Sequence, residues 1–216
     1  MKRLVVFDLD DTLYLERDYV RSGLREVGRK LGKRAFLKTA WRLFEAGERK
    51  RIIDRALEEI GVTPSLKLIR SLVARYRSHI PRVRLCPDAR RFLARPPEGV
   101  AIAVITDGRV RTQGAKLKAL GIDRLATRIV ITGRWGIRYA KPHPRAFRWM
   151  ERTFKLPGTA CTYVGDNPAK DFQAPRAMGW RVIRMRRPGG LYASAVSRGV
   201  PIVRSCDQLR AKITTA

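Results

Sequence analysis

A short apolar run near the beginning of the chain ends directly in acidic residues, in the order Leu4-Val5-Val6-Phe7-Asp8-Leu9-Asp10-Asp11-Thr12. Four consecutive apolar residues, two of them β-branched, are typical of a strand that is buried on both faces of a parallel sheet. Residues two apart in an extended chain point to the same side, so we expect the side chains of Asp8 and Asp10 to project together. The stretch therefore predicts a central strand that ends in a pair of carboxylates.

Similar apolar runs recur later in the chain. They cover residues 100–105, 128–131, 161–164 and, more weakly, 181–184. Helical patterns cover residues 110–120, 144–154 and 168–178, and a final short strand and helix are expected after Pro201. Strands that alternate with helices of about 11 residues predict an α/β fold, with a Rossmann-like parallel sheet and helices on both faces.

Residues 14–95 interrupt this alternation. Three amphipathic sets at helical spacing begin at Val20, Ile52 and Leu66, and they predict a small helical bundle inserted after the first strand. We therefore expect a Rossmann-like core at residues 1–14 and 86–216 and an α-helical domain at residues 15–85. Trp41 and Phe44 lie at helical spacing in this insertion, which favours core packing over a substrate pocket.

The chain is strongly basic, with 47 Lys and Arg against 19 Asp and Glu and a formal charge of +28. Such a charge invites a nucleic-acid partner, but 44% hydrophobic residues exclude a disordered basic protein. The charge is divided evenly between the insertion and the remainder, without a basic tail, so nucleic-acid binding would be non-specific. A nucleic-acid-binding protein, or a phosphatase acting on polynucleotide ends, is the alternative that this charge supports.

Cysteine content and hydropathy limit the cellular compartments in which we expect the protein. The three cysteines are widely separated and form no CxxC pair, which predicts reduced thiols rather than disulfides or a zinc site. The first apolar run is far shorter than the roughly 7 to 15 residues of a secretory leader. No stretch approaches the roughly 20 apolar residues of a membrane span. We expect a soluble, cytoplasmic protein.

Polar residues follow several of the predicted strands. They are Thr106-Asp107-Gly108 and Gly165-Asp166-Asn167-Pro168-Ala169-Lys170-Asp171, and Lys141-Pro142 precedes a predicted helix. The carboxyl ends of parallel strands meet at one edge of a sheet, where open α/β folds place their ligands. We therefore expect these segments to lie close to Asp8 and Asp10.

The chemistry of these residue types points to phosphoryl transfer. Carboxylates gathered in one cleft repel each other and need a cation, and an all-oxygen set selects Mg²⁺ rather than zinc. A hydroxyl, a glycine backbone and a lysine supply donors for a dianionic group. One carboxylate can act as a nucleophile that forms an aspartyl phosphate, and its neighbour can act as general acid and base.

The motif set resembles the haloacid dehalogenase-like superfamily, specifically its Mg²⁺-dependent phosphatases. The resemblance rests on DxDxT at residues 8–12, a threonine at the end of the second strand, Lys141, and GDxxxxD at residues 165–171. The helical insertion resembles the type 1 cap of that family. Residues 7–14 and 163–168 are similar to the branch near the pyrimidine 5′-nucleotidases.

This resemblance implies roles for individual residues. Asp8 and Asp10 would be catalytic; Thr106, Asp107, Gly108 and Lys141 would bind phosphate; Asp8, Asp10 (through its carbonyl), Asp166 and Asp171 would hold Mg²⁺. The implied reaction is hydrolysis of a small phosphorylated metabolite such as a nucleotide or a sugar phosphate. A phosphomutase on the same site is an alternative, whereas a dehalogenase is disfavoured because those enzymes lack an acid corresponding to Asp10. Family members often carry Asn where this chain has Asp107.

Other polar residues are expected to have structural roles. We expect Asp11 to bond local backbone, and both His79 and His143 to be structural or solvent-facing, with His143 a weak candidate for the rim of the site. The basic segment at residues 186–192 is predicted to be a solvated turn.

Overall fold

The computed structural model describes residues 2–214, so the ends of the predicted core at residues 1 and 215–216 lie outside the described part. The chain divides into two compact units. The first is formed by Met1–Arg17 with Val83–Ala216, and the second by Asp18–Arg82.

The first unit is built on a six-stranded, fully parallel sheet. The strands are β1 (Arg3–Phe7), β2 (Val100–Thr106), β3 (Arg128–Ile131), β4 (Cys161–Gly165), β5 (Arg181–Met185) and β6 (Ile202–Val203). Their order across the sheet is β3-β2-β1-β4-β5-β6, so the first strand lies between β2 and β4. Phe7 aligns with Val104 on one side and Val164 on the other. The predicted Rossmann-like parallel sheet is confirmed.

Nine α-helices accompany these strands within residues 2–214. They are α1 (Glu16–Leu31), α2 (Arg34–Glu45), α3 (Ile52–Glu59), α4 (Leu66–Ser78), α5 (Pro87–Ala94), α6 (Val110–Ala119), α7 (Arg145–Phe154), α8 (Gln173–Ala177) and α9 (Cys206–Thr214). None of them, over this part of the chain, is both long enough and apolar enough to cross a bilayer.

Alternating side chains of the central strands form the core of the first unit. Leu4 and Val6 are fully buried in a cluster that also contains the aromatic side chains of Phe147, Tyr163 and Trp180. The ring of Phe147 meets Tyr163 and Trp180 edge-on, with centroids 5.1 and 5.5 Å apart. This packing holds α7 against β4.

The predicted helix over residues 168–178 is wrong in its first half. Residues 168–172 form turns, and only Gln173–Ala177 is helical. The side chain of Asn167 accepts the backbone amide of Ala169 at 3.0 Å, and its carbonyl accepts the amide of Asp171 at 3.0 Å. These bonds close turns over residues 167–171, and the regular helix begins only at Gln173.

The second unit contains most of α1 together with α2, α3 and α4. Three of these helices correspond to the predicted amphipathic sets, and α2 is an additional element. Trp41 stacks on the buried Phe44 with ring centroids 5.2 Å apart, so this aromatic pair belongs to the packing of the unit. The role of these helices as a cap stays a prediction.

Candidate active site

The ammonium group of Lys141 lies among three oxygen atoms. Its Nζ donates to Asp8 Oδ1 at 2.5 Å, to Asp171 Oδ1 at 2.7 Å and to the Tyr163 hydroxyl at 2.8 Å. The side chain is completely buried. Burial acts to lower the pKa of Lys141, but the charges of Asp171 and Asp8 outweigh it and hold that pKa well above its usual value. The site therefore contains a permanent, buried positive charge next to Asp8.

Three carboxylates gather around this lysine. One oxygen from each of Asp8, Asp166 and Asp171 lies within 4.8 Å of the others. Burial raises the pKa of Asp166 to about 9, and repulsion from Asp8 and Asp171 adds to that effect. Burial also raises the pKa of Asp8 to about 6, although Lys141 opposes the shift. Within residues 2–214 the Asp166 carboxylate has no hydrogen-bond or ion-pair partner, so it is the acid that most needs a cation.

Both oxygens of Asp171 are already engaged by the protein. Oδ1 accepts from Lys141, and Oδ2 accepts the backbone amide of Asn167 at 2.9 Å. A Cβ atom at position 165 would overlap the Asp171 carboxylate, so Gly165 is the residue that leaves room for it. Asp171 is fully buried and orients the lysine.

The carboxylate of Asp10 is bonded by a different set of side chains. Lys116 Nζ donates to Oδ1 at 2.7 Å, Gln113 Nε2 donates to Oδ2 at 2.9 Å, and the Tyr14 hydroxyl donates to Oδ1. Burial acts to raise the pKa of Asp10, but the charge of Lys116 and the bonds from all three donors hold that pKa below its ordinary value. Asp10 is therefore an ionised carboxylate whose side chain is not part of the Asp8–Asp166–Asp171 cluster.

The segment after β2 is held by side-chain bonds to its neighbours. Asp107 Oδ1 accepts the Thr132 hydroxyl at 2.7 Å and the backbone amide of Lys141 at 3.1 Å. Its second oxygen lies 3.6 Å from the ammonium of Lys170. The Asp107 side chain thus ties the end of β2 to the segment that carries Lys141.

Thr106 and Gly108 flank this aspartate. The buried Thr106 hydroxyl accepts from Gln113 Nε2 at 2.5 Å. Gly108 has a φ of +129°, and a Cβ there would lie 3.2 Å from Gln113 Cγ, closer than nearly all such contacts. Two of the four predicted phosphate-binding residues, Thr106 and Gly108, therefore contact the same glutamine.

Sequence reasoning missed several residues that contact the site. They are Tyr14, Gln113, Lys116, Tyr163 and Lys170. A signal for two of them exists in the sequence, because Gln113 and Lys116 share the inward face of α6 with Leu117 at spacings of three and four residues. Polar residues in a stripe where apolar side chains are expected indicate a buried polar partner.

The segment at residues 186–192 is the predicted solvated turn only in part: Pro188 and Gly189 form an exposed turn, whereas Arg187 does not face solvent. Arg187 is buried; its Nε donates to the Thr12 carbonyl at 2.7 Å, and its Nη1 lies 3.1 and 3.0 Å from the two oxygens of Asp88. Asp11 accepts the amide of Leu191 at 2.8 Å, in keeping with its expected bonding of backbone. These bonds fasten the loop after β5 to the segment that carries Asp8 and Asp10.

Both histidines make structural contacts. The His79 ring packs on Tyr19 with centroids 4.9 Å apart. The His143 ring meets Tyr139 edge-on at 5.0 Å, and its Nδ1 accepts the backbone amide of Arg145 at 3.1 Å.

The raised pKa of Asp166 leads to an expected dependence of stability on pH in metal-free protein. The folded-state pKa of about 9 exceeds the ordinary value of 3.8, so the folded state binds the extra proton between these limits. The contribution of Asp166 to the free energy of unfolding should therefore fall as pH rises through this range. At about pH 8 with a chelator, Asp166→Asn should raise the midpoint of thermal unfolding by at least about 2 °C.

The control is Asp207→Asn, because Asp207 forms an exposed ion pair with Arg91. The advantage of Asp166→Asn over wild type should disappear near pH 4. A lower unfolding midpoint for Asp166→Asn than for wild type at pH 8 would contradict this reading of the site.

Comparisons with known proteins show the family of this chain. A family model for haloacid dehalogenase-like hydrolases matches residues 2–179. Phosphoserine phosphatase from Thermus thermophilus is 29% identical, over 86% of this chain and 89% of its own. Glyceraldehyde 3-phosphate phosphatase from Methanopyrus kandleri is 28% identical, over 87% of this chain and 85% of its own.

Among solved structures, a HAD family hydrolase from Deinococcus radiodurans with bound phosphate and sodium has the same fold. The TM-score is 0.72 at 22% identity, and the match covers 99% of this chain and 95% of that one. The family model spans the central strand, the segment with Lys141 and the acidic cluster. The chain belongs to the haloacid dehalogenase-like hydrolases.

Proposed function

We propose that the protein is a Mg²⁺-dependent phosphatase that hydrolyses phosphate monoesters of small metabolites through an aspartyl phosphate on Asp8. The observation that carries the proposal is the buried contact of Asp8 with Lys141, next to Asp166 and Asp171. A carboxylate held beside a buried ammonium can attack phosphorus, while the ammonium stabilises the charge on the phosphoryl oxygens. The phosphatase names of the curated relatives support the same reaction class.

The donor set fits a magnesium ion. Asp8 and Asp166 supply carboxylate oxygens, and the family resemblance adds the backbone carbonyl of Asp10; both oxygens of Asp171 are engaged with Lys141 and Asn167. These are hard oxygen ligands of the kind that Mg²⁺ prefers. When bound, Mg²⁺ would neutralise charge on the phosphoryl oxygens and polarise the phosphorus–oxygen bonds.

In the first step, an Asp8 oxygen attacks phosphorus and the bond from phosphorus to the ester oxygen breaks. Thr106, the amides near Asp107 and Gly108, and Lys141 would hold the phosphoryl oxygens. The leaving oxygen takes a proton from the carboxyl group of Asp10, which takes up that proton from solvent as the substrate binds. A phosphate dianion beside Asp10 raises the pKa of this carboxyl by like-charge repulsion, which favours the protonated form that this step requires.

In the second step, Asp10 acts as a base. Its carboxylate accepts a proton from water as the water oxygen attacks the phosphorus of the aspartyl phosphate. The bond from phosphorus to Asp8 breaks, and inorganic phosphate leaves with Asp8 regenerated as a carboxylate. The bonds from Lys116, Gln113 and Tyr14 favour the ionised form of Asp10 at this stage.

The names of two curated relatives support a class of substrate. The two curated relatives are named for phosphoserine and glyceraldehyde 3-phosphate, both of which are small alkyl phosphates with a further polar group. We propose a substrate of this size, either a phospho-acid, a sugar phosphate or a nucleotide, and action in the cytoplasm.

A direct assay tests the proposal. Wild-type protein is incubated with and without Mg²⁺ on a panel containing phosphoserine, glyceraldehyde 3-phosphate, nucleoside monophosphates, sugar phosphates and p-nitrophenyl phosphate, and phosphate release is measured. We expect Mg²⁺-dependent turnover of at least one alkyl phosphate. If wild-type protein released no phosphate from any compound with Mg²⁺ present, the proposed function would be wrong.

Replacing Asp10 should have an effect that depends on the leaving group. We expect Asp10→Asn to lower kcat/KM, which reports the first step alone, by about 100- to 10,000-fold on an alkyl phosphate, because an alkoxide leaves poorly without a proton. The loss should be smaller on p-nitrophenyl phosphate, whose phenolate leaves readily unprotonated. Equal losses on both substrates would argue against Asp10 as the acid.

A further inference from the structure

We infer that Tyr14, Gln113 and Lys116 form a positioning group for Asp10, which we name the Asp10 clamp. Its function is to hold the Asp10 carboxylate in one orientation toward the leaving oxygen and the attacking water. This inference rests on the proposed function and deepens it, because it assigns a role to three residues for which the resemblance implied none.

The clamp contacts both oxygens of the carboxylate from two separate segments. Lys116 and Gln113 lie one turn apart on α6 and bind Oδ1 and Oδ2 at 2.7 and 2.9 Å. Tyr14 follows β1 and donates to Oδ1. A carboxylate whose two oxygens are bonded to different donors cannot rotate about its last bond without breaking one of the bonds.

One lone pair of the Asp10 carboxylate remains available for proton transfer. A carboxylate has about four lone-pair sites, and the three donors of the clamp occupy three of them. The fourth can carry the proton that goes to the leaving oxygen, or accept the proton from water. The clamp therefore restricts Asp10 to one orientation while leaving it able to react.

Burying a lysine and a glutamine would cost free energy if their only role were to pack the interior. Lys116 and Gln113 are 4% and 2% exposed, on the inward face of an otherwise ordinary helix. Burial of an ammonium or an amide costs free energy unless each finds a polar partner, and an apolar residue of similar size would pack there without that cost. Orientation of Asp10 accounts for both choices.

Gln113 also connects Asp10 to the phosphate-binding segment. The same Nε2 atom donates to Asp10 and to the Thr106 hydroxyl, and the side chain lies against Gly108. One side chain thereby joins Asp10 to Thr106, one of the predicted phosphate-binding residues. A bound phosphoryl group would be placed at a defined distance from the proton that its leaving oxygen requires.

The test compares Lys116→Met with Lys118→Met, a matched change at an exposed position of the same helix. Misplacement of a catalytic group by about 1 Å can cost about 100-fold in rate. We expect Lys116→Met to lower kcat on an alkyl phosphate by about 10- to 100-fold. KM should change little, and the loss in kcat/KM, which reports the first step alone, should be smaller on p-nitrophenyl phosphate. Lys118→Met should match wild type.

A double-mutant cycle separates positioning from general damage. In an Asp10→Asn background, Lys116→Met should cause no more than about a twofold further loss in kcat, because the residue on which it acts is already disabled. If Lys116→Met does not fold, as judged by thermal unfolding, Gln113→Met replaces it in the same cycle, since this change removes no charge. Lys116→Arg should recover part of the activity.

The outcomes distinguish the two proposals. Wild-type protein that releases no phosphate overturns the proposed function. Active wild-type protein with Lys116→Met equal to Lys118→Met overturns the clamp alone. So does a further loss in the Asp10→Asn background as large as the loss in wild type, because it would mean that Lys116 acts independently of Asp10.

Discussion

Replacement of Asp8 with asparagine is expected to lower kcat by at least about 10,000-fold, because an amide oxygen is a poor nucleophile toward phosphorus. The fold should survive, since asparagine has the same size and retains a carbonyl oxygen that can accept the bond from Lys141. In the native protein that bond is 2.5 Å long and connects the central strand to the segment that carries the lysine. The loss should therefore be chemical rather than structural.

Two measurements check this expectation. Acid-quenched reactions with labelled substrate should show phosphate bound to wild-type protein and none bound to Asp8→Asn. Circular dichroism and thermal unfolding should show that the variant is folded. The control is Asp123→Asn, at an exposed position, which should match wild type. Turnover of Asp8→Asn within tenfold of wild type would remove Asp8 as the nucleophile.

Replacement of Lys141 with methionine is expected to damage both activity and stability. The lysine bonds two buried acids, and its loss would leave Asp8 and Asp171 facing each other without the ammonium that contacts both. Removal of one partner of a buried ion pair costs about 3–5 kcal/mol in the free energy of unfolding. Loss of a charged donor to the transferred phosphoryl group should lower kcat/KM by at least about 100-fold.

A second variant separates the two effects. Lys141→Met combined with Asp171→Asn removes one of the stranded charges, so the double variant should recover part of the stability without recovering activity. Urea unfolding measures the first quantity and phosphate release the second. Recovery of turnover in the double variant would contradict the role of Lys141 in binding phosphate.

The central strands were predictable because burial on both faces leaves a signature in a single stretch of sequence. Strands β1, β2 and β4 read as continuous apolar runs, and each ends in polar residues that the parallel topology brings to one edge. The first half of the predicted helix at residues 168–178 could not be corrected in the same way. Its apolar pattern does not reveal the turns that Asn167 closes with one side-chain bond and one backbone bond, because such bonds carry no periodicity.

The structure also shows what some of the basic residues do, which their number in the sequence does not reveal. Arg184 is buried and donates to the carbonyls of Asp166, Tyr192 and Ala195, while Arg187 bonds Thr12 and Asp88. At least these two arginines connect the loop after β5 to the segments that bear the candidate catalytic acids. A count of basic residues cannot separate such internal donors from charges on the surface.

The amino-acid sequence by itself determined the parallel α/β core, the family, and the strand ends where the acidic residues lie. These follow from local patterns and from residues close together in the chain. Only the tertiary structure decided which charges meet: Lys141 with Asp8 and Asp171, and Lys116 with Asp10 across 106 positions. These partners lie on separate elements that meet only in the folded protein. An ion pair or hydrogen bond depends on the distance between two atoms in space, so it leaves no periodic pattern along the chain.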